Sequence, residues 1–440
     1  MKCVDHLGAF MRVLWIINVV PQEETSNCNS SSVVFDGGWI FSMAKELAKI
    51  DNIVLGIAYL DEVKELEVLY RQGVCLFRIP GGMKTKTREP DRAYSENCEE
   101  IIRVFRPDVI HIHGTEYPHV LYFVRNYANI SVISIQGLLY KVSYYFNYGL
   151  SIPKAILSFK PTEIVDALAI LVQKGRFSRR IEPELEILHN CKNVIGRTTW
   201  DYANVTYLNR NIHYYHCNET LRDDFYSYSW CIDEMERHSI FVGNASIPYK
   251  GFHMLLDAAR LLLSDYPDLK IYSAGYSIMP RGRWDWKKRL GYARYIRRML
   301  QGYSLQNAVV FTGVLSAYDM AKYLSRCNVF VLPSSIENSP NTLGEAMLVG
   351  APIVAADVGG VTSLVSDGKE ALVYRFEEVE MLASLIARIF EDDDLANDLS
   401  RNAQKRAMIT HDKSRNVNVL LRIYQEVLES SKKDEGGVKG

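Results

Sequence analysis

Short, uninterrupted apolar runs recur along the first half of the chain, with helical patterns between them. The runs lie at 13–17, 53–59, 109–112, 132–135 and 194–195. Runs of this length are typical of parallel strands that are buried on both faces. Between the first two runs, a helix is predicted because five apolar residues share one face: Trp39, Ile40, Met43, Ala44 and Leu47.

The same alternation restarts after a polar stretch near 233–238. A strand is predicted over 239–243 and a helix over 251–263. Strands that alternate with helices predict a doubly wound parallel sheet in each half of the chain. The last predicted helix, over 417–428, is amphipathic. The remaining strand-like runs of the second half lie at 271–274, 309–311, 329–332, 353–356 and 372–374.

The two series predict an α/β protein with two Rossmann-like doubly wound domains that face each other across a cleft. The chain has 440 residues, more than a single hydrophobic core usually supports. We expect the N-terminal domain to span 1–232 and the C-terminal domain to span 239–411. Ligands bind such sheets beyond the carboxyl ends of the strands, so the residues that follow each strand are the candidates for chemistry.

Composition and charge exclude several classes of function. The formal net charge is −1, so no overall field recruits nucleic acid, and no nucleic-acid reading motif is present. No apolar run reaches the ~18–20 residues that span a bilayer, and we expect a cytoplasmic protein. The eight cysteines include no C-x-x-C pair, so their spacing favours packed thiols over a zinc or redox site.

The segment that follows the run 329–332 concentrates the most chemistry. Ser339 and Pro340 are predicted as the N-cap and first residue of a helix. The start of such a helix presents unpaired N–H groups to an anion. Glu337 lies on the loop before this helix and Glu345 lies inside it, so the two carboxylates flank the start. Spacing alone leaves two readings open: carboxylates that accept hydrogen bonds from sugar hydroxyls, or solvated surface residues.

Glu337 and Glu345, separated by seven residues, match the E-x7-E motif of retaining glycosyltransferases of family four, which have the GT-B fold. The resemblance is strong over the second half of the chain and weak over the first. Similar segments surround the motif: Val331–Ser334, Gly344–Met347, Gly350–Ala355, Asp357–Gly360, Asp367–Gly368 and Ala371–Val373.

The resemblance implies a role for each donor-site residue. Glu337 would contact the transferred sugar and Glu345 the nucleotide ribose. Lys250 would bind the donor diphosphate, where a fixed cation stabilises the departing charge. Asn244 stands roughly where the family has an arginine, and Arg281 or Arg283 could replace that charge. The helix start would also contact the diphosphate through Asn341, Thr342 and Leu343.

Candidates in the first half rest on weaker signals. Gly37 and Gly38 resemble the family's glycine loop near the donor phosphates. Glycine suits such a loop, since it lets the backbone approach a ligand closely. His113 ends a strand and resembles the family's cleft histidine, with His111 deeper on the same face. We predict a catalytic role for His113, although a lone histidine here is also compatible with a structural role. Glu116 is placed to touch acceptor hydroxyls.

Two further features keep two readings each, and a third has one. Arg197 follows the run 194–195 and either binds phosphate or caps a helix. The basic, aromatic stretch 281–298 either lies on anionic lipid or a lipid-linked acceptor, or forms a solvated helix face. A second such stretch, 140–160, is placed to line the acceptor side.

The resemblance implies transfer of a hexose-type sugar from a nucleotide-diphosphate sugar, with retention, to a saccharide or lipid-linked acceptor in surface polysaccharide or glycolipid synthesis. It implies no bound metal and no other cofactor, and it implies that the C-terminal helix, 412–430, packs back on the N-terminal domain. A peripheral contact with the inner face of the membrane is expected through 281–298. Two alternatives remain. One is a non-catalytic nucleotide-sugar-binding partner subunit, which stays open because Asn244 replaces the family's arginine. The other is a dinucleotide-dependent oxidoreductase, which is disfavoured because residues 18–21, after the first strand, lack the G-x-G-x-x-G motif.

Overall fold

A computed structural model describes residues 10–20, 39–71, 73–152, 156, 160–280 and 290–437. Gly37, Gly38, Arg281 and Arg283 therefore lie outside the described residues, as does half of the basic stretch 281–298. The chain divides into two units. The first contains Met1–Tyr140, Arg180–Leu221 and His411–Gly440, and the second contains Lys141–Arg179 and Arg222–Thr410.

The strands confirm the apolar runs predicted from the sequence and add some others. In chain order they are β1 Met11–Ile16, β2 Ile53–Asp61, β3 Glu67–Arg71, β4 Val74–Pro80, β5 Val109–His113, β6 Ser131–Ser134, β7 Asn193–Gly196, β8 His213–His216, β9 Glu236–Val242, β10 Lys270–Ala274, β11 Val309–Gly313, β12 Cys327–Leu332, β13 Ile353–Ala356 and β14 Leu372–Tyr374.

The helices alternate with these strands. In chain order they are α1 Trp39–Leu47, α2 Met83–Lys86, α3 Arg92–Phe105, α4 Leu121–Tyr127, α5 Leu139–Tyr145, α6 Pro161–Ser178, α7 Ile181–Asn190, α8 Thr199–Leu208, α9 Phe252–Leu262, α10 Tyr292–Gly302, α11 Ala317–Arg326, α12 Asn341–Val349, α13 Val361–Leu364, α14 Val379–Glu391, α15 Asp393–Thr410 and α16 Lys413–Gly437. Among the residues that the structure describes, no helix is both long enough and apolar enough to cross a membrane.

The first unit is built on an eight-stranded sheet in the order β3-β4-β2-β1-β5-β6-β7-β8. Its neighbouring strands are parallel except β3, which pairs antiparallel with β4. Alternate residues of β1 enter different cores: Leu14 and Ile16 belong to one, whereas Val13 and Trp15 belong to the other. This burial on both faces explains why β1 is apolar without interruption.

The last helix, α16, completes the second of these two cores. It contributes five buried side chains to the face of the sheet that carries Trp15: Val417, Leu420, Ile423, Tyr424 and Val427. The helix belongs to the first unit, although it follows the second unit in the sequence.

A buried chain of hydrogen bonds joins α16 to the sheet. Trp15 Nε1 donates to Tyr424 Oη at 2.9 Å, Tyr424 Oη lies 2.7 Å from His111 Nδ1, and His111 Nε2 lies 2.7 Å from Ser134 Oγ. Burial, helped by the charge of Arg197, lowers the pKa of His111 to about 3, so its imidazole is neutral. A neutral imidazole donates through one ring nitrogen and accepts through the other, so His111 links Tyr424 to Ser134.

The second unit is built on a six-stranded sheet in the order β11-β10-β9-β12-β13-β14, with all of its pairs parallel. Residues 141–179, which the expected ranges placed in the first domain, lie with this unit. Residues 141–179 group with the second unit because α6 is tied to α10 by an ion pair. Asp166 of α6 is buried and lies 2.8 Å from Arg294 of α10.

Replacing Tyr424 by Phe should destabilise the first unit. The substitution keeps the ring but leaves Trp15 Nε1–H and His111 Nδ1 buried without a partner, which costs about 1–3 kcal/mol. Chemical denaturation followed by fluorescence measures this loss. Tyr207 is exposed on α8, and Tyr207→Phe is the matched control, expected within about 0.5 kcal/mol of the natural chain. Equal stability of the two variants would contradict the role of this chain of hydrogen bonds.

Candidate functional site

The loop between β12 and α12 is held by backbone contacts that only glycine permits. Gly251 has a φ of 70°, and a Cβ there would lie 1.7 Å from the carbonyl oxygen of Pro333. Gly359 has a φ of 55°, and a Cβ there would lie 1.9 Å from the carbonyl oxygen of Glu337. That oxygen accepts a hydrogen bond from the N–H of Gly360 at 3.0 Å. The two glycines therefore fix the loop that carries Glu337.

The approach at Gly251 brings Lys250 to Glu337. Lys250 Nζ donates to Glu337 Oε1 at 2.6 Å, and Ser334 Oγ donates to the same oxygen at 2.6 Å. The side chain of Glu337 is only 9% exposed. Its other carboxylate oxygen makes no hydrogen bond within the described part of the chain. One oxygen of Glu337 is thus anchored and the other is left for a ligand.

Lys250 keeps its positive charge in this setting. Burial acts to lower its pKa, but the neighbouring carboxylate of Glu337 and the hydroxyl of Tyr249 outweigh burial, so the pKa of Lys250 is raised. The Lys250 side chain is 29% exposed. A fixed cation of this kind is suited to a developing negative charge.

Glu345 lies on the second turn of α12 and is paired with Arg222. The Nε of Arg222 lies 2.9 Å from Glu345 Oε1, and its Nη2 lies 2.8 Å from the same oxygen. The Glu345 side chain is 3% exposed. Burial raises the pKa of Glu345 to about 6, although the charge and hydrogen bond of Arg222 act in the opposite direction. Arg222 was not predicted, because it precedes Glu345 by 123 residues and no local pattern marks it.

The helix start differs from the prediction by one residue. α12 begins at Asn341, and Pro340 is its N-cap with a ψ of 115° and no side-chain cap. The prediction that Ser339 caps the helix and Pro340 is its first residue is therefore wrong, because Pro340 has an extended backbone. Asn341 and Thr342 are half-buried and Leu343 is buried. The first N–H groups of a helix have no partner within it, and here they follow the Glu337 loop directly.

Asn244 is engaged in the turn after β9. Its Oδ1 accepts hydrogen bonds from the N–H of Ser246 at 2.8 Å and from the hydroxyl of Ser246 at 2.6 Å. Asn244 therefore shapes the loop that leads to Lys250, and it supplies no charge. The two arginines suggested as replacements, Arg281 and Arg283, lie outside the described residues.

His113 lies at the carboxyl end of β5 in the first unit. Its ring is buried, with its centroid 4.4 Å from that of Trp15 and 3.9 Å from that of His111. Burial, with smaller contributions from His111 and Arg197, holds the pKa of His113 well below its usual value. A neutral imidazole can exchange hydrogen bonds with a ligand, but it offers no positive charge.

Glu116 follows β5. Two cations lie over the ring of its neighbour Tyr117: Lys86 Nζ is 4.3 Å from the ring centroid, and the guanidinium carbon of Arg180 is 4.9 Å from it. Burial raises the pKa of Glu116 to about 7, although hydrogen bonds and the charges of Arg180 and Lys86 favour ionisation. The first unit thus holds a carboxyl group that titrates near neutral pH at the end of a central strand.

Arg197 has a structural environment. Its side chain is buried and forms an ion pair with Glu219, and its Nη1 donates to the carbonyl of Ile135 at 2.5 Å. The helix cap belongs to Thr198, whose hydroxyl accepts from the N–H of Asp201 in a capping box. This arrangement favours neither of the roles predicted for Arg197. Within the ranges that the structure covers, no cluster of three or more His, Cys, Asp or Glu could hold a metal ion.

The sequence is similar to glycosyltransferases over part of its length. Residues 224–406 match the family model for glycosyl transferases group 1. A putative glycosyltransferase of Bacillus subtilis strain 168, YtcC, is 29% identical over 44% of this chain and 46% of its own length. A putative colanic acid biosynthesis glycosyltransferase of Salmonella typhimurium, WcaL, is 26% identical over 36% of this chain and 38% of its own. The chain therefore spans less than half the length of these two relatives.

Solved structures resemble the chain over most of its length. A sucrose-phosphate synthase from Thermosynechococcus elongatus superposes with a TM-score of 0.70 at 17% identity, covering 96% of this chain and 100% of that one. HepE from Anabaena, in complex with UDP and glucose, superposes with a TM-score of 0.60 at 15% identity over 96% and 100% of the two chains. The protein therefore has the GT-B fold, with two Rossmann-like α/β units, and its segment 224–406 is similar to group 1 glycosyl transferases.

Proposed function

We propose that the protein is a glycosyltransferase that transfers a hexose-type sugar from a nucleotide-diphosphate sugar to an acceptor hydroxyl with retention. The observation that carries the proposal is the pair of buried carboxylates, Glu337 and Glu345, which flank the start of α12 and are each anchored by a cation on one oxygen. Both carboxylates lie within the segment that matches the glycosyl transferase family. The complex of HepE with UDP and glucose supports a nucleotide-sugar donor.

In this proposal the diphosphate binds the positive side of the site. Lys250 and the N–H groups of Asn341 and Thr342, at the start of α12, stabilise the oxygens that gain charge as the bond from the sugar to the diphosphate breaks. Lys250 is already held by Glu337, so little reorganisation is needed when the charge develops. Asn244 holds the turn that leads to Lys250 through its hydrogen bonds with Ser246. It therefore belongs to the proposed donor site by positioning this turn.

The two carboxylates bind the hydroxyl groups of the donor. The oxygen of Glu337 that is not anchored accepts hydrogen bonds from the transferred sugar, and Glu345 accepts them from the ribose, as charged acceptors do strongly. We assign no enzymatic nucleophile: the donor phosphate assists attack by the acceptor on the face that it leaves, which retains the anomeric configuration. Gly37 and Gly38 stay candidates for donor binding and His113 for catalysis from the resemblance alone, and we propose no metal and no other cofactor.

We further propose that the acceptor is a saccharide or a lipid-linked saccharide in surface polysaccharide or glycolipid synthesis, and that the enzyme acts at the cytoplasmic side of the membrane. The name of the Salmonella relative, which refers to colanic acid biosynthesis, supports this pathway class. The basic stretch 281–298 stays a candidate for peripheral contact through its described part, 290–298.

A panel of nucleotide sugars tests the activity. Purified protein is incubated with each donor and with saccharide acceptors, released nucleoside diphosphate is measured, and the anomeric configuration of the product is read by NMR. Release and retention are expected with at least one donor. Donor binding without diphosphate release or transfer would favour the alternative, a nucleotide-sugar-binding partner subunit. A product of inverted configuration would contradict the proposed mechanism.

Glu345→Gln should weaken the use of donor while keeping the side-chain shape. An amide replaces the charged acceptor, so the loss of one charge-assisted hydrogen bond should lower kcat/KM for the donor by roughly 10- to 100-fold. Steady-state kinetics with varied donor measures this change. Glu380 is exposed on α14, and Glu380→Gln is the control that should leave the kinetics unchanged. If the Glu345 variant had the same kinetics as the natural chain, Glu345 would not belong to the donor site.

Lys250→Ala should act mainly on the chemical step. Removing a cation that stabilises the departing diphosphate should lower kcat by about 10²–10³-fold, with a smaller effect on donor binding because Glu345 and the start of α12 remain. Single-turnover kinetics separates the two effects. The exposed Lys322 on α11 provides the control Lys322→Ala. A loss confined to KM would indicate ordinary binding and contradict the proposed role in the transition state.

Activity should fall as the pH drops through about 6, where Glu345 becomes protonated and loses its value as an acceptor. The pKa of Glu345 in the folded protein lies above the usual glutamate value of 4.5, which applies to the unfolded chain. Ionised Glu345 therefore costs stability above pH 6, and protonation recovers that stability between pH 6 and 4.5. Activity and stability should thus change in opposite directions in this window. The pH profile of Glu345→Gln should lack this inflection, and an unchanged profile would assign it to another group.

A further inference from the structure

The outward face of α6 is apolar, which is unusual for a helix at a protein surface. Its exposed side chains include Val165, Leu168, Leu171 and Val172, with exposed fractions from 37% at Leu171 to 54% at Val172. Val165, Leu168 and Val172 are three and then four residues apart, so they form one stripe along the helix. Contiguous exposed apolar patches of this kind mark surfaces that bind something.

One acidic side chain of the same helix faces inward. Asp166 is buried and accepts hydrogen bonds from the N–H of Gly291 at 2.7 Å and from Arg294 Nε at 2.8 Å. Arg298 of α10 also lies 3.5 Å from Asp166. α6 is therefore fixed to α10 by ion pairs and shows aliphatic side chains to the outside. The exposed face of a surface helix usually carries polar side chains instead. Because the ion pairs fix this orientation, the apolar stripe cannot turn inward without breaking them.

Basic residues frame the apolar stripe. Lys160 precedes the helix, whereas Arg176 and Arg179 lie at its end, and all three are exposed. The segment 160–179 carries four basic and two acidic residues, an excess of two basic residues. Glu163 lies 3.4 Å from Lys160 of the same segment, whereas Asp166 is paired with Arg294 of α10. The surface around the stripe is thus positively charged.

We propose that this surface, defined by Val165, Leu168, Leu171 and Val172 with Lys160, Arg176 and Arg179, docks on a membrane that carries anionic lipids. An interfacial helix places aliphatic side chains among the acyl chains and basic residues beside the lipid phosphates. A second copy of the chain fits less well, because pairing the same face about a two-fold axis would bring its basic residues together. The proposal goes beyond the transfer reaction and does not depend on it.

Vesicle co-sedimentation of the full chain tests the proposal. Wild-type protein should bind vesicles of phosphatidylcholine with phosphatidylglycerol, and bind pure phosphatidylcholine much less. The double variant Leu168→Ser with Val172→Ser should lose binding by on the order of tenfold or more, since two aliphatic side chains no longer enter the acyl region. Arg176→Gln with Arg179→Gln should weaken binding several-fold and reduce its dependence on salt.

Val314→Ser is the control, because Val314 is 72% exposed in the same unit and lies outside the stripe. It should bind vesicles like the natural chain. All variants are checked by thermal unfolding and by transfer to a soluble acceptor, both of which should be unchanged, so a failure of membrane docking is distinguished from a failure of the proposed activity.

Three results would overturn the proposal. The first is that the natural chain does not bind anionic vesicles, the second is that the stripe variant binds them as well as the natural chain does, and the third is that light scattering reveals a dimer that the stripe variant abolishes. The last result would assign the face to a second copy of the chain instead of to lipid.

Discussion

The candidate donor site depends on how closely three backbone segments of the second unit approach one another. The turn before α9 touches the carbonyl of Pro333 through Gly251, and the turn after β13 touches the carbonyl of Glu337 through Gly359. Any side chain at either glycine would overlap with a main-chain oxygen, so the segments could not stay in place. These contacts hold Lys250 and Glu337 at hydrogen-bond distance and fix the loop that leads into α12. The electrostatics of the site follow from this packing.

Each of the two carboxylates is paired with its own cation, and the two pairs have different effects on the carboxylate. Glu337 shares one oxygen between Lys250 and Ser334, which orients the carboxylate at the end of β12. Glu345 is more deeply buried, and its pKa rises to about 6 even though Arg222 lies beside it. Burial of a charge is costly unless it is paired, so Arg222 is what allows a carboxylate to remain inside α12. The site therefore combines an oriented acceptor on a loop with a pH-sensitive acceptor inside a helix.

Much of the fold could be predicted from the sequence, because buried parallel strands leave uninterrupted apolar runs. The two edge strands of the eight-stranded sheet were missed for the opposite reason: β3 contains Glu67 and Arg71, and β8 is composed of histidine and tyrosine. These strands are half-exposed and lack the apolar pattern. The start of α12 was misplaced by one residue, since the sequence shows that Pro340 fits a first turn but does not reveal its extended ψ.

The sequence by itself determined the alternation of strands and helices, the residue types at the candidate site and the seven-residue spacing of Glu337 and Glu345, because these are local properties of the chain. Only the tertiary structure decided which distant groups meet. Arg222 pairs with Glu345, Arg197 is occupied by Glu219, and the ion pairs of Asp166 turn the aliphatic side of α6 outward. Such contacts join residues far apart in the chain, and burial, which sets their charge states, is a property of the folded protein alone.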